Sequence, residues 1–184
     1  MSRLILWNMV SLDGYFEGAK SWDVEWFQPF FNKELEAFSI DQLRRADALL
    51  FGRITYEGMA AYWQKAEGEV AQYMNTLPKI VFSSTLAGAD WANARLVKSG
   101  MEAEVSALKQ QGARDLYVFG SAQLCAGLLA AGLVDEVRLC VMPLVLGRGV
   151  PLFGRGLQRM PMKLLEARPL SNGCVILRYE PQGA

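Results

Sequence analysis

The chain has 184 residues, 52% of them apolar and 21% charged, and its 19 lysines and arginines are balanced by 19 aspartates and glutamates. That is about one domain of globular composition, and zero net charge provides neither a basic footprint for nucleic acid nor a polybasic membrane patch. With no histidine in the chain, Ser-His-Asp and Cys-His mechanisms and His-containing zinc sites are excluded; no metal is expected, and proton transfer falls to carboxylates, tyrosine, lysine or water.

Leu4 to Val10 is an apolar run without the longer core and cleavage site of a signal peptide, and it reads as a central strand. Ser11-Leu12-Asp13-Gly14 turns it into a loop carrying Glu17 and Gly18, a position from which residues line sites in sheet proteins. From Trp22 the pattern turns helical, with Trp26, Phe27, Phe30 and Phe31 on one side and Pro29 as a kink. A second helical piece is predicted over Ser39 to Arg45, capped by Ser39 or Asp41.

Ala48 to Phe51 is too short and too continuously apolar for a helix, and it reads as a buried strand ending at Gly52. Tyr56, Met59, Ala60 and Trp63 then recur at helical spacing behind Arg53 and Thr55. A strand that feeds a helix N-terminus through glycine, with an arginine at the junction, can seat a phosphate on free N–H groups. Glu67 to Leu77 reads as a helix ended by Pro78, and Lys79 to Phe82 as a strand that runs into the hydroxyls Ser83-Ser84-Thr85. A short strand at Arg95 to Val97 and a helix from Met101 to Gln111 follow.

Asp115 to Phe119 is another strand, and Gly120-Ser121-Ala122-Gln123 opens a helix of small and apolar residues, repeating the strand–glycine–helix junction. Two such junctions and a hydroxyl cluster suit a phosphorylated cofactor lying across the C-terminal edge of an α/β sheet. Beyond Val134 the texture changes to strands at Val137–Val145, Lys163–Arg168 and Cys174–Tyr179, the last two joined by Ser171-Asn172-Gly173. That spacing predicts an antiparallel hairpin on an otherwise parallel sheet, with Leu146-Gly147-Arg148-Gly149 as a strand-linking turn.

Leu116 to Val134 carries no charge but is broken by Gly120, Gly127 and Gly132, so it is read as strand, turn and helix rather than a membrane span. Cys125, Cys140 and Cys174 lie in apolar surroundings with no paired spacing, as buried thiols in a reducing compartment, and the expected location is the cytoplasm. Neither a membrane nor a nucleic acid is expected as a partner.

In their order, S-L-D-G, A-D-A-L-L-F-G-R-I-T-Y-E-G, L-P-K-I-V-F-S-S-T, D-L-Y-V-F-G-S-A-Q-L and L-V-D-E-V-R-L-C-V-M-P-L-V-L-G-R-G-V-P-L-F make the chain resemble the dihydrofolate reductase superfamily. Within it, the likeness is to the branch containing the reductase domain of bacterial riboflavin biosynthesis and its stand-alone relatives. The resemblance implies a single α/β domain, a three-layer fold with a mainly parallel central sheet, flanking helices and a C-terminal antiparallel hairpin. It also implies an NADPH-dependent reductase, commonly homodimeric. Carried over by position, Gly52, Arg53 and Thr55 match the cofactor turn, with Arg53 toward the 2′-phosphate. Ser83 and Ser84 match hydroxyls on the same phosphate, and Gly120, Ser121, Ala122 and Gln123 the segment covering the pyrophosphate. Ile54 stands where relatives often carry a basic residue, which leaves NADH open as cofactor. Trp22-Asp23-Val24-Glu25-Trp26-Phe27 resembles the dihydrofolate reductase helix in which an acid precedes a Trp-Phe pair, with Asp23 in register with the pterin-binding carboxylate and Glu25 as the alternative, and these two acids are the catalytic candidates.

The expected reaction is hydride transfer to a C=N or C=O carbon of a small heterocyclic, pterin- or pyrimidine-like substrate. Its expected cleft is floored by Trp7, Asn8 and Met9, walled by Trp26, Phe30 and Tyr56, and approached by Asp13. Asn8 and Met9 also border the cofactor. A nucleotide-binding or dimer-scaffold protein without turnover is the alternative.

Overall fold

Alternation along the strands decides which side of the sheet each residue serves. In β1 (Leu4–Ser11) the odd-numbered Ile5 and Trp7 point into one apolar cluster, and the even-numbered Leu4, Leu6 and Val10 into another. Both faces are therefore buried, as a central parallel strand requires. The computed structural model describes residues 1–154 and 157–183.

After β1 come β2 (Tyr15–Glu17), a 3-10 helix at Glu25–Phe30, α1 (Lys33–Arg44), β3 (Ala46–Gly52), α2 (Arg53–Trp63) and α3 (Glu69–Thr76). Then follow β4 (Lys79–Phe82), β5 (Ala94–Val97), α4 (Met101–Gln111), β6 (Asp115–Phe119) and α5 (Ala122–Ala130). The chain closes with β7 (Glu136–Met142), β8 (Val150–Pro151), β9 (Met162–Pro169) and β10 (Val175–Pro181). The main sheet has eight strands in the order β5-β4-β3-β6-β1-β7-β10-β9. It is parallel from β5 to β7, while β10 runs antiparallel to both β7 and β9. β2 and β8 form a separate two-stranded sheet.

Helices α1, α2 and α3 cover one face through Leu35, Leu43, Tyr56 and Met74, and α4 and α5 cover the other through Val105, Leu124, Cys125 and Leu128. This is the three-layer arrangement that the family resemblance implied. β3 and β6 are parallel neighbours, yet their following helices leave toward opposite faces. The crevice that opens between two such turns is where α/β sheets bind ligands.

Two predicted helices differ in the structure. The piece expected from Trp22 is a single 3-10 segment of six residues, because Pro29 lies inside it and lacks the N–H that an α-helical ladder needs. The piece expected from Ser39 begins earlier, at Lys33, where the Asn32 side chain accepts from Leu35 N. Ser39 is interior to that helix and donates to the Leu35 carbonyl. The strand expected to reach Val145 stops at Met142, just before Pro143.

No helix of the described residues is long and apolar enough to cross a membrane. All three cysteines are buried free thiols, and burial pushes Cys125 up to about 12, which makes it a packing residue rather than a nucleophile.

Candidate functional site

At the crevice, an open groove of about 510 Å³ is lined by Gly52, Arg53, Ser83, Ser84, Ser121 and Gln123, all of them singled out from the sequence. Lys98, Ser99 and Gly100, between β5 and α4, complete its wall and were missed. A signal for them existed: a lysine directly after a short apolar strand and before a helix-opening glycine.

The N-termini of α2 and α5 both open on this groove. Neither is capped by a side chain, and neither carries an acid in its first turn. By contrast, α1 has the Asn32 cap, and α4 holds Glu102 and Glu104 in its first turn. Free N–H groups and the positive helix ends of α2 and α5 each favour an anion by about 0.3–1 kcal/mol. Arg53 is about half exposed and is held by Glu57 one turn on, at 3.1 Å. The donor set fits a dinucleotide with two or more phosphates.

The two turns lock together behind the groove. A Cβ on Gly52 would lie 2.3 Å from Ser121 Oγ, so the β3–α2 turn accepts only glycine while Ser121 stands there. Ser121 itself has φ 60°, and Gly120 at φ 63° lies against the buried Thr55. The Asn8 side-chain oxygen accepts from Gly120 N at 2.9 Å and so fixes the β6–α5 turn from β1. Gly52→Ala is expected to cost about 1–3 kcal/mol, and Ser121→Gly in the same chain to recover most of it. Thermal melts of both singles and the double check this, and an absence of recovery would show that another contact excludes the methyl.

The substrate-side residues divide. Trp7 is 3% exposed and tilts against Phe38 of α1, with ring centroids 5.2 Å apart. Tyr56 is buried, and its hydroxyl accepts from Trp91 N. Both serve the aromatic core. Met9, Trp26 and Phe30 are half-buried against that core, and the Trp26 indole N–H is buried without an acceptor among the described residues. Asp13 accepts the Leu146 and Gly147 N–H groups and the Ser11 hydroxyl, and these bonds, Ser11's first, hold its carboxyl below the usual range. It fixes the loop after β7.

The two acids differ in setting. Asp23 is half-buried with its carboxyl on the bare α-carbon of Gly18, where a Cβ would come within 2.2 Å of Oδ2, whereas Glu25 is exposed. The Asp23 carbonyl also accepts from Gly18 N at 2.8 Å.

The family model of the RibD C-terminal domain matches residues 3–176. The uncharacterized protein YyaP of Bacillus subtilis (strain 168) is 33% identical, over 98% of this chain and 96% of its own length. Among solved structures, a Shewanella sp. PV-4 protein assigned to riboflavin biosynthesis superposes with a TM-score of 0.82 at 22% identity, covering 98% of this chain and 99% of that one. Dihydrofolate reductase from Enterococcus faecalis, complexed with NADP(H), gives 0.67 at 13% identity, covering 98% and 97%. The last two likenesses show the fold, and the first two the kinship: this chain belongs to the RibD C-terminal domain family.

Proposed function

We propose that this protein is an NADPH-dependent reductase acting on a C=N or C=O group of a small planar heterocycle, pterin- or pyrimidine-like, with NADH as the competing cofactor. The observation that carries the reading is the pair of uncapped, acid-free helix N-termini of α2 and α5 opening on one groove beside Arg53 and Lys98. Arg53, Ser83 and Ser84 would hold a 2′-phosphate, and the N–H groups that open α2 and α5 a pyrophosphate. Bound there, a reduced nicotinamide supplies the hydride. The chain's own part is to orient the ring, exclude water through Trp26 and Phe30, and deliver a proton. Asp23 is the better donor, since a carboxyl fixed against Gly18 keeps its aim and the exposed Glu25 does not.

Loss of reduced-nicotinamide absorbance across a panel of dihydropterins, aminopyrimidines, imines and carbonyl compounds tests the activity. Turnover on at least one member is expected; tight NADPH binding with none would favour a nucleotide-binding module. Titration of Arg53→Ala tests the cofactor. The loss of one charge-assisted phosphate contact is expected to weaken NADPH by about 1.5–3 kcal/mol, roughly 10- to 100-fold. NADH should stay within about twofold, because Arg53 then has no phosphate to meet. The Glu57 pair does not prevent the exchange, since an exposed i,i+4 pair is worth only about 0.3–0.5 kcal/mol. Equal weakening of both cofactors would take Arg53 out of the 2′-phosphate site.

A further inference from the structure

Glu17 is a buried carboxylate that the proposed chemistry does not use. It is 7% exposed, and one of its oxygens accepts the backbone N–H of Trp22. Trp22 has φ 59°, a conformation that costs a non-glycine residue about 1–2 kcal/mol. The segment around it is fastened at further points besides the Gly18–Asp23 bond. The Trp22 indole lies flat on the bare α-carbon of Gly58 in α2, where a Cβ would come within 2.1 Å of the ring. Phe16 lies over Gly120, the turn that opens toward α5. Glu17 itself pairs with Val150 in the β2–β8 sheet, and Gly149, at φ 152°, is pressed against its carbonyl. Residues 16–22 thus touch both α2 and the β6–α5 turn, and Asp23 follows directly on the Trp22 N–H that Glu17 holds.

We infer that Glu17 is a positioning residue: its carboxylate pins Trp22 in the left-handed conformation, and the pinned Trp22, seated on Gly58, fixes the place of Asp23 against Gly18. The pin stands on geometry alone, and its effect on turnover rests on the reductase reading. Lys20 lies exposed in the pinned loop and gives a direct readout by tryptic cleavage after it.

Glu17→Ala is expected to speed that cleavage roughly 10- to 100-fold, the share of open loop gained when a hydrogen bond to a charged group is lost. Glu17→Gln keeps an oxygen for the Trp22 N–H and should stay near the parent rate. Should Glu17→Ala fail to fold, Gly58→Ala dislodges the same indole from the other side and should speed the same cleavage. With a substrate in hand, Glu17→Ala should lower kcat, leave NADPH affinity within about twofold, and be rescued by glutamine. Cleavage after Lys20 at one rate in the parent, Glu17→Ala and Gly58→Ala proteins would overturn the pin. Faster cleavage in a protein that turns over no substrate would uphold the pin and overturn the reductase reading instead.

Discussion

Asp23→Asn is expected to slow turnover at least about 100-fold, the usual worth of a positioned proton donor, while NADPH affinity stays at the parent value. Asparagine keeps the shape of the side chain against Gly18, and the bond from Gly18 N runs to the Asp23 backbone carbonyl, which the substitution leaves in place. What is lost is the carboxyl's capacity to take up a proton and pass it on. Glu25→Gln is the matched control: Glu25 is exposed on the 3-10 segment, and its substitution should leave the rate within about twofold. Single-turnover rates with saturating cofactor separate the outcomes. A loss confined to Glu25→Gln would move the donor role two residues along, and unchanged rates in both would leave the proton to water.

Glu136→Gln is expected to cost about 3 kcal/mol of folding stability, because it breaks a buried ion cluster from its centre. Glu136 is 2% exposed, and its two oxygens accept from Arg3, Arg138 and Arg178. Arg138 is also buried, with the Gln42 and Tyr117 oxygens as its only other acceptors among the described residues, so a neutral residue at 136 strands its charge. For a chain of this size the melting point should fall by roughly 6–12 °C. Despite burial, which raises it, the bonds from Arg178 and Arg138 depress the Glu136 carboxyl from 4.5 to about 2. A depressed acid contributes its full stability above its unfolded pKa and loses it as pH falls through the folded value. The gap between parent and variant should therefore be complete at neutral pH and close between about pH 4.5 and 2. Glu166→Gln, which removes one half-exposed partner of Arg178, should cost less than about 1 kcal/mol. Equal costs at 136 and 166 in urea titrations would refute the keystone role of Glu136.

The elements that fix the fold were legible because local rules and tertiary demand agree in them. Lys79–Phe82, Met101–Gln111 and Asp115–Phe119 carry the same bounds in sequence and structure, each set off by proline or glycine on at least one side. The crevice was legible for a related reason: Gly52 ends a parallel strand and Ser83-Ser84 and Gly120-Ser121 directly follow two others, and such ends share one edge of the sheet. Misreadings arose where composition pointed both ways. The aromatic run from Trp26 to Phe31 has helical spacing, but Pro29 removes the donor that would sustain it. Trp7 and Tyr56 have the chemistry of a stacking surface, yet Phe38 and Trp91 already occupy them.

The sequence by itself determined most of the strands and helices, the two strand–glycine–helix junctions and the closing hairpin, since each depends on periodicity and turn chemistry within a few residues. Only the tertiary structure decided which charged groups are fixed and which are free, because that depends on how the chain packs, whether the partner lies near in sequence or far along it. Lys79, a surface residue by type, is fully buried and donates to the carbonyls of Asn75, Leu77 and Ala92. Asp13 is spent on residues 146 and 147, Glu136 gathers arginines from just before β1, from β7 itself and from β10, and Glu17 holds the loop that carries Asp23. A carboxylate's role follows from the donors that reach it, and those donors are brought into range only by the packed sheet.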